Sequence, residues 1–126
     1  MNYHEIPVLS NIYLENSYVL AVDERENSLV FELELVLGEN HTKYKKPLPG
    51  QMYCYIRVLL RFLNVESLEW ISRRFMAYED SSGDIDYGNI DSFVVLENGY
   101  KLAGDWGEVI IKGQHLEVAI DDLRYL

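Results

Sequence analysis

Two stretches of this chain alternate between apolar and polar residues, and this alternation is the strongest constraint on the fold. Between residues 29 and 37 every second residue is Leu or Phe, and the residues between them include Glu32 and Glu34. The same period of two runs from residue 52 to residue 62. Successive side chains of a strand point to opposite faces of a sheet, so both stretches predict strands with one buried face.

A further pair of strands is expected near the N-terminus. The segments 12–15 and 18–22 are rich in apolar residues, and Asn16 and Ser17 lie between them. Asn and Ser are frequent in turns because their short side chains bond to nearby backbone groups. We therefore expect a tight turn at these two residues.

Turn signals also divide the C-terminal third of the chain. Asn98-Gly99 is the strongest of them, because Asn and Gly accept the two positive φ angles of a type I′ hairpin turn. Residues 104–107 interrupt the alternation with two glycines, which suggests a bulge or a sharp bend. Gly113-Gln114 is expected to join a last pair of strands, at 108–112 and 115–120.

The segment at 64–76 fits two kinds of secondary structure. As a helix it has acids early and arginines late, with Leu68, Ile71 and Phe75 on one face. As a strand it has Leu68 and Trp70 alternating with polar residues. We favour the strand because the segments around it are β.

Short strands separated by frequent turn signals predict a single all-β domain over residues 1–126. The expected architecture is an antiparallel β-sandwich or a partly open barrel of about seven to nine strands. An α+β fold with one short helix at 64–76 is the alternative. A chain of 126 residues is long enough to bury an adequate core.

The charge of the chain restricts its partners. The net charge of −10 disfavours nucleic acid and anionic membrane surfaces, since both would repel the protein. The apolar runs are too short to span a bilayer. Cys54 is the only cysteine and the N-terminus does not resemble a signal peptide, so we expect a cytoplasmic protein. An exposed edge strand would leave homodimer formation open.

The segment 80–91 concentrates four aspartates, together with glycine and asparagine, in an expected loop. Closely spaced carboxylates on a flexible loop can bind Ca²⁺, which needs six to eight oxygen ligands. The EF-hand pattern fails, because its sixth position is Ile85 where glycine is required. The commoner structure for such a sequence is a solvated turn whose side chains cap their own backbone, and we favour it. The candidate metal ligands are Asp80, Asp84, Asp86 and Asp91.

Acidic side chains concentrate between residues 79 and 108, and basic side chains concentrate between 41 and 74. The acidic segment suggests a contact surface for a basic protein partner, although pairing within the fold would also explain the charges. Trp106, flanked by glycines, is either an exposed anchor of this surface or a core residue, the commoner state for a large aromatic. The candidate partner-binding residues are Asp84, Asp86, Tyr87, Asp91, Asp105, Trp106 and Glu108.

The polar face of the second long strand carries an aromatic and cationic stripe, formed by Tyr53, Tyr55 and Arg57. Such a stripe could bind a small ligand at the mouth of a barrel. The favoured alternative is that Arg57 and Arg61 lie opposite the two glutamates of the strand at 28–37. This alternative predicts that the strands at 28–37 and 51–62 are neighbours.

No catalytic motif stands out in the sequence, which favours a protein that acts by binding and is not an enzyme. The leading hypothesis is a small, acidic module that binds and masks a basic protein; by analogy of size and charge alone, an antitoxin or immunity protein fits this description. A Ca²⁺-binding β domain and a small-ligand-binding β-barrel are the alternatives. Apart from Ca²⁺, no cofactor is expected.

Overall fold

A computed structural model describes residues 3–74, 78–79 and 85–120, which form two antiparallel sheets around one core. In spatial order, the first sheet contains β1 (Ile12–Arg25), β2 (Ser28–Leu37), β3 (Cys54–Leu63) and β10 (His115–Ile120). The second sheet contains β4 (Ser67–Arg73), β9 (Gly107–Lys112), β8 (Gly99–Gly104) and β7 (Ser92–Leu96). Two short strands, β5 (Tyr78–Glu79) and β6 (Ile85–Asp86), pair with each other.

The prediction of an all-β fold is confirmed, and the architecture is that of a β-sandwich. Within the described residues, the only helical segments are two 3₁₀ turns, at Tyr3–Glu5 and Pro7–Leu9. The two main sheets contain eight strands, and neither sheet closes into a barrel. No described segment forms a helix long and apolar enough to cross a membrane.

The core lies between the two sheets and follows the alternation of the sequence. All five inward-facing residues of β2, from Leu29 to Leu37, are buried, and Val58, Leu60 and Phe62 of β3 are buried beside them. The second sheet contributes buried residues to the same cluster: Phe93, Tyr100, Leu102, Val109 and Ile111. Each large apolar side chain that is buried contributes about 1.5–3 kcal/mol to folding.

Strands β2 and β3 are antiparallel neighbours, as predicted, with Leu29 opposite Phe62 and Leu37 opposite Cys54. Strand β3 begins later than the alternation predicted, since Met52 lies before it and is 79% exposed. The alternation of the sequence begins before the first residue of β3, and outside the strand it does not predict burial.

The expected turn at Asn16-Ser17 is wrong. Strand β1 runs without interruption through both residues, and its pairing with β2 shifts there from Tyr13 opposite Val36 to Tyr18 opposite Glu34. This shift is a β-bulge, in which extra residues of one strand oppose fewer residues of the other. The residue types that favour turns also favour bulges, because both structures need side chains that satisfy local backbone groups.

The strand preferred for the segment 64–76 is confirmed where the structure describes it, since Ser67–Arg73 forms β4. The helical alternative is therefore wrong for these residues. Leu68 and Trp70 are half-buried, and Glu69 between them is exposed. Residues 75 and 76 lie outside the described part of the chain.

The hairpin of β7 and β8 is present, but its turn is not the predicted one. Leu96 pairs with Gly99, so Glu97 and Asn98 form the turn, and neither Asn98 nor Gly99 has a positive φ. The close approach of the neighbouring strand instead explains why position 99 is a glycine. A Cβ atom at this position would lie 1.9 Å from the carbonyl oxygen of Ile111 on the adjacent β9.

The predicted pairing of 108–112 with 115–120 is wrong. Both segments are strands, but β9 belongs to the second sheet and β10 pairs with β3 in the first. Gly113 lies where the chain crosses between the sheets, and its φ of 134° is one that residues other than glycine rarely adopt. The bend expected at 104–107 is confirmed as the tight turn Asp105-Trp106 between β8 and β9.

Candidate functional site

Three of the predicted aspartates come together where two loops meet. Asp86 ends β6, Asp91 precedes β7, and Asp105 lies in the turn between β8 and β9. These three residues are called the acidic corner below. Gly88 lies between them: its backbone N–H donates to Asp86 Oδ1 at 2.7 Å, and a Cβ atom on Gly88 would lie 2.8 Å from Asp105 Oδ2.

The loop that carries the acidic corner is fixed to both sheets. The backbone of residues 87 and 88 exchanges two hydrogen bonds with Val19 of β1, at 2.8 and 2.7 Å. The side-chain amide of Asn89 donates to the carbonyl oxygen of Ser17. The backbone N–H of Asp91 donates to the carbonyl oxygen of Ala103 at 2.9 Å. The aspartates are therefore held at defined positions on a fixed loop.

Within the acidic corner, the carboxylates of Asp91 and Asp105 repel each other. Partial burial raises the pKa of Asp91 above its usual value, and the charge of Asp105 raises it further. Both effects disfavour the ionised form of Asp91. The fold therefore places Asp91 close enough to Asp105 for their charges to interact unfavourably.

Several acidic residues elsewhere in the described structure have basic partners, although others, such as the exposed Glu66 and Glu69, do not. Five ion pairs join Arg or Lys to a carboxylate within 4 Å: Arg25–Asp23, Arg57–Glu32, Arg61–Glu117, Arg73–Glu24 and Lys101–Glu108. None of the described basic side chains forms such a pair with the acidic corner. Glu108, one of the predicted partner-binding residues, is neutralised by Lys101 at 3.0 Å and does not add to the unpaired charge.

Trp106 does not contribute to an exposed surface, which corrects its place among the partner-binding residues. Its side chain is fully buried, with its ring 5.0 Å from that of Phe31, and its indole N–H donates to the carbonyl oxygen of Asn89 at 3.0 Å. The favoured expectation, that Trp106 is a core residue, is confirmed. Tyr87, next to the acidic corner, is half-buried against the core.

The structure describes only part of the predicted cation site. Asp80 and Asp84 lie outside the described residues, while Asp86 and Asp91 belong to the acidic corner. In the part of the chain that is described, no three His, Cys, Asp or Glu side chains are arranged to hold a metal ion. Ca²⁺ binding therefore stays a prediction that depends on the segment 80–84.

Tyr55 and Arg57 of the aromatic and cationic stripe lie on the outer face of β3, whereas Tyr53 lies just before this strand. Arg57 is opposite Glu34 and forms an ion pair at 3.4 Å with Glu32, while Arg61 pairs with Glu117 of β10. The expected pairing of these arginines with the glutamates of β2 is therefore correct for Arg57 and wrong for Arg61. Because the first sheet is open, the stripe does not lie in the mouth of a barrel, and ligand binding by its residues stays a prediction.

Sequence reasoning missed a cleft of about 500 Å³ at one end of the first sheet. The loop between β2 and β3 forms one wall, and the bulged part of β1 forms another. The residues that line it include Tyr13, Asn16, Val36, Tyr44, Tyr53 and Cys54. One signal was available in the sequence, because a connection as long as residues 38–53 is often functional in a compact domain.

Comparison with known proteins gives no family for this fold and site. No protein-family model matches the chain, and neither the curated proteins nor the solved structures give a match.

Proposed function

We propose that this protein acts by binding a basic protein partner through the acidic corner formed by Asp86, Asp91 and Asp105. The observation that carries the proposal is the proximity of these three carboxylates at defined positions, with no basic partner among the described residues. Several acids of the two sheets have Arg or Lys partners, whereas the described structure gives the acidic corner none. A fixed loop thus presents several negative charges that the described part of the fold does not neutralise.

A basic partner would relieve the repulsion between Asp91 and Asp105. Charge that is unfavourable in the free protein becomes favourable when an opposite charge approaches it. The net charge of −10 would also attract a basic protein at long range and speed its association. The corner would therefore contribute to the association rate as well as to the stability of the complex.

The test compares two variants that change the net charge equally. Asp91→Asn with Asp105→Asn removes two charges from the acidic corner. Glu66→Gln with Glu69→Gln removes two exposed charges near β4, outside the corner. Immobilised wild-type protein and both variants are exposed to the same cell lysate, captured proteins are identified by mass spectrometry, and association rates are measured with the purified partner.

We expect the wild type and the Glu66/Glu69 variant to capture the same basic protein. The corner variant should associate about tenfold more slowly at low salt, with the difference shrinking as ionic strength rises. Equal capture by the corner variant would contradict the proposal. Capture of an acidic protein, or of none, would contradict it as well.

A divalent cation is the second candidate partner, favoured by the same proximity of Asp91 and Asp105. A cation would relieve their repulsion just as a basic side chain would. Thermal melts in EDTA, in CaCl₂ and in MgCl₂ separate the two proposals. A rise of several degrees that is specific for Ca²⁺ and lost in Asp91→Asn would favour the metal site.

A further inference from the structure

The cleft beside β1 is distinct from the acidic corner, and the loop at 38–53 partly covers it. Val36 shows this most clearly. It alternates with the inward-facing residues Leu35 and Leu37 and so lies on the outer face of β2, yet it is only 1% exposed. Tyr44 and Pro47 of the loop line the same cleft as Val36. The space of about 500 Å³ that remains is within the range of small-molecule sites.

The loop is held in place by contacts at its start and in its middle. The N–H of Gly38 donates to the carbonyl oxygen of Asn11 at 2.7 Å, which ties the start of the loop to the segment before β1. The N–H of Lys45 donates to the Cys54 thiol at 3.5 Å, which ties its middle to β3. Tyr44 packs against the core. The cleft is therefore a formed feature of the fold.

The lining combines aromatic rings with side-chain amides. Tyr13, Tyr44 and Tyr53 contribute rings, and Tyr13 is 43% exposed. The negative face of an aromatic ring attracts the weakly positive C–H groups of a ligand. Asn16 and Asn40 can each donate and accept hydrogen bonds. Aromatic rings contact C–H groups, and amides form hydrogen bonds with hydroxyl groups. The lining therefore suits a ligand that carries both kinds of group, such as a sugar.

The charge of the cleft disfavours an anionic ligand. Glu39 is the only charged residue in its lining. No lysine or arginine of the loop is among the lining residues, so a phosphate or carboxylate would find no cation in the cleft. The net charge of −10 opposes the entry of anions in general.

We propose that this cleft binds a neutral saccharide, with Tyr53 and Tyr13 against its apolar faces and Asn16 and Asn40 on its hydroxyl groups. The proposal does not depend on the acidic corner, because none of the three corner residues lines the cleft.

Cys54 provides a direct assay. It is the only cysteine of the chain, it is half-buried, and it lines the cleft. The rate at which an uncharged thiol reagent such as iodoacetamide modifies the native protein is measured against concentrations of maltose, cellobiose, lactose and sucrose. Adenosine monophosphate serves as the anionic comparison, and calorimetry provides a second measure of affinity.

At least one disaccharide should slow the modification, with a dissociation constant of about 1 mM or lower. Tyr53→Ala should weaken this affinity about tenfold, whereas Tyr53→Phe should retain it because the ring is kept. Tyr18→Ala is the matched control, since Tyr18 is a partly exposed tyrosine of the same sheet that does not line the cleft. The Asp91→Asn/Asp105→Asn variant should bind the sugar normally, which separates this proposal from that of the acidic corner.

Three results would overturn the proposal. In the first, none of the disaccharides protects Cys54 from modification. In the second, a disaccharide protects Cys54 equally well in the wild type and in Tyr53→Ala. In the third, adenosine monophosphate protects Cys54 more strongly than any sugar does. If Tyr53→Ala melts far below the wild type, Asn16→Ala replaces it, because Asn16 is exposed and lines the same cleft.

Discussion

Ser17 closes the bulge of β1, and replacing it with alanine should destabilise the protein measurably. Its side chain is 1% exposed. The hydroxyl donates to the carbonyl oxygen of Tyr13 at 2.7 Å and accepts a hydrogen bond from the backbone N–H of Val36 at 2.9 Å. Ser17→Ala would leave both backbone groups without these partners in a buried site.

The size of the effect follows from these two bonds. A buried hydrogen bond contributes about 0.5–1.5 kcal/mol net, and a buried donor left unpaired costs about 1–3 kcal/mol. We therefore expect Ser17→Ala to lower the free energy of unfolding by about 2 kcal/mol. For a domain of 126 residues, this corresponds to a decrease of about 8 °C in melting temperature.

The assay is urea denaturation followed by circular dichroism, together with a thermal melt. Ser10→Ala is the control, because the Ser10 hydroxyl also donates to a carbonyl oxygen, that of Pro7 at 2.9 Å, but at an exposed site. The control should lose less than about 1 kcal/mol. If Ser17→Ala is no less stable than Ser10→Ala, the hydroxyl does not hold the bulge and the reasoning is refuted.

Three further predictions concern the core, the close approach of β8 to β9 and the acidic corner. Trp106→Ala should lower the free energy of unfolding by about 3–5 kcal/mol in urea, and Trp106→Phe by less, because the indole is fully buried. Gly99→Ala should lower it by about 1–3 kcal/mol or more, since its Cβ would lie 1.9 Å from the Ile111 carbonyl oxygen; an unchanged urea midpoint would contradict the packing argument. Asp91→Asn should raise the melting temperature at neutral pH, because the pKa of Asp91 is raised by folding and its ionised form is therefore penalised in the native state. This penalty is present above the raised pKa of Asp91 and disappears as the pH falls to the pKa of Asp91 in the unfolded chain. The melting temperatures of the wild type and Asp91→Asn should therefore converge in acid. A difference in melting temperature that stays constant with pH would contradict this cause.

The alternating patterns of β2 and β3 are the part of the fold that the sequence specified most directly. A strand has a side-chain period of two, so Leu29 to Leu37 could form one buried face whichever strands lay beside them. The pairing of Arg57 with a glutamate of β2 followed from the same alternation, because opposite charges on the outer faces favour adjacent strands. The alternation of Leu68 and Trp70 with polar residues likewise predicted the position of β4.

The candidate sites were less accessible to sequence reasoning. The aspartate-rich segment was recognised, but only the fold brings Asp105 from another turn to Asp91 and buries Trp106 beside it. The cleft joins the bulge of β1 to residues of a loop and of β3. No local pattern relates these segments, because their contacts depend on strand pairing between distant parts of the chain.

The sequence by itself determined the all-β character, the two long strands and the residues that face the core, because these depend on local alternation and burial. Tertiary structure decided how the turn-like residues are used. Ser17 closes a bulge, Gly99 permits a neighbouring strand to approach, and Gly113 carries the chain from one sheet to the other. Polar and glycine residues satisfy many local geometries equally well, so the packing of the two sheets selects among them.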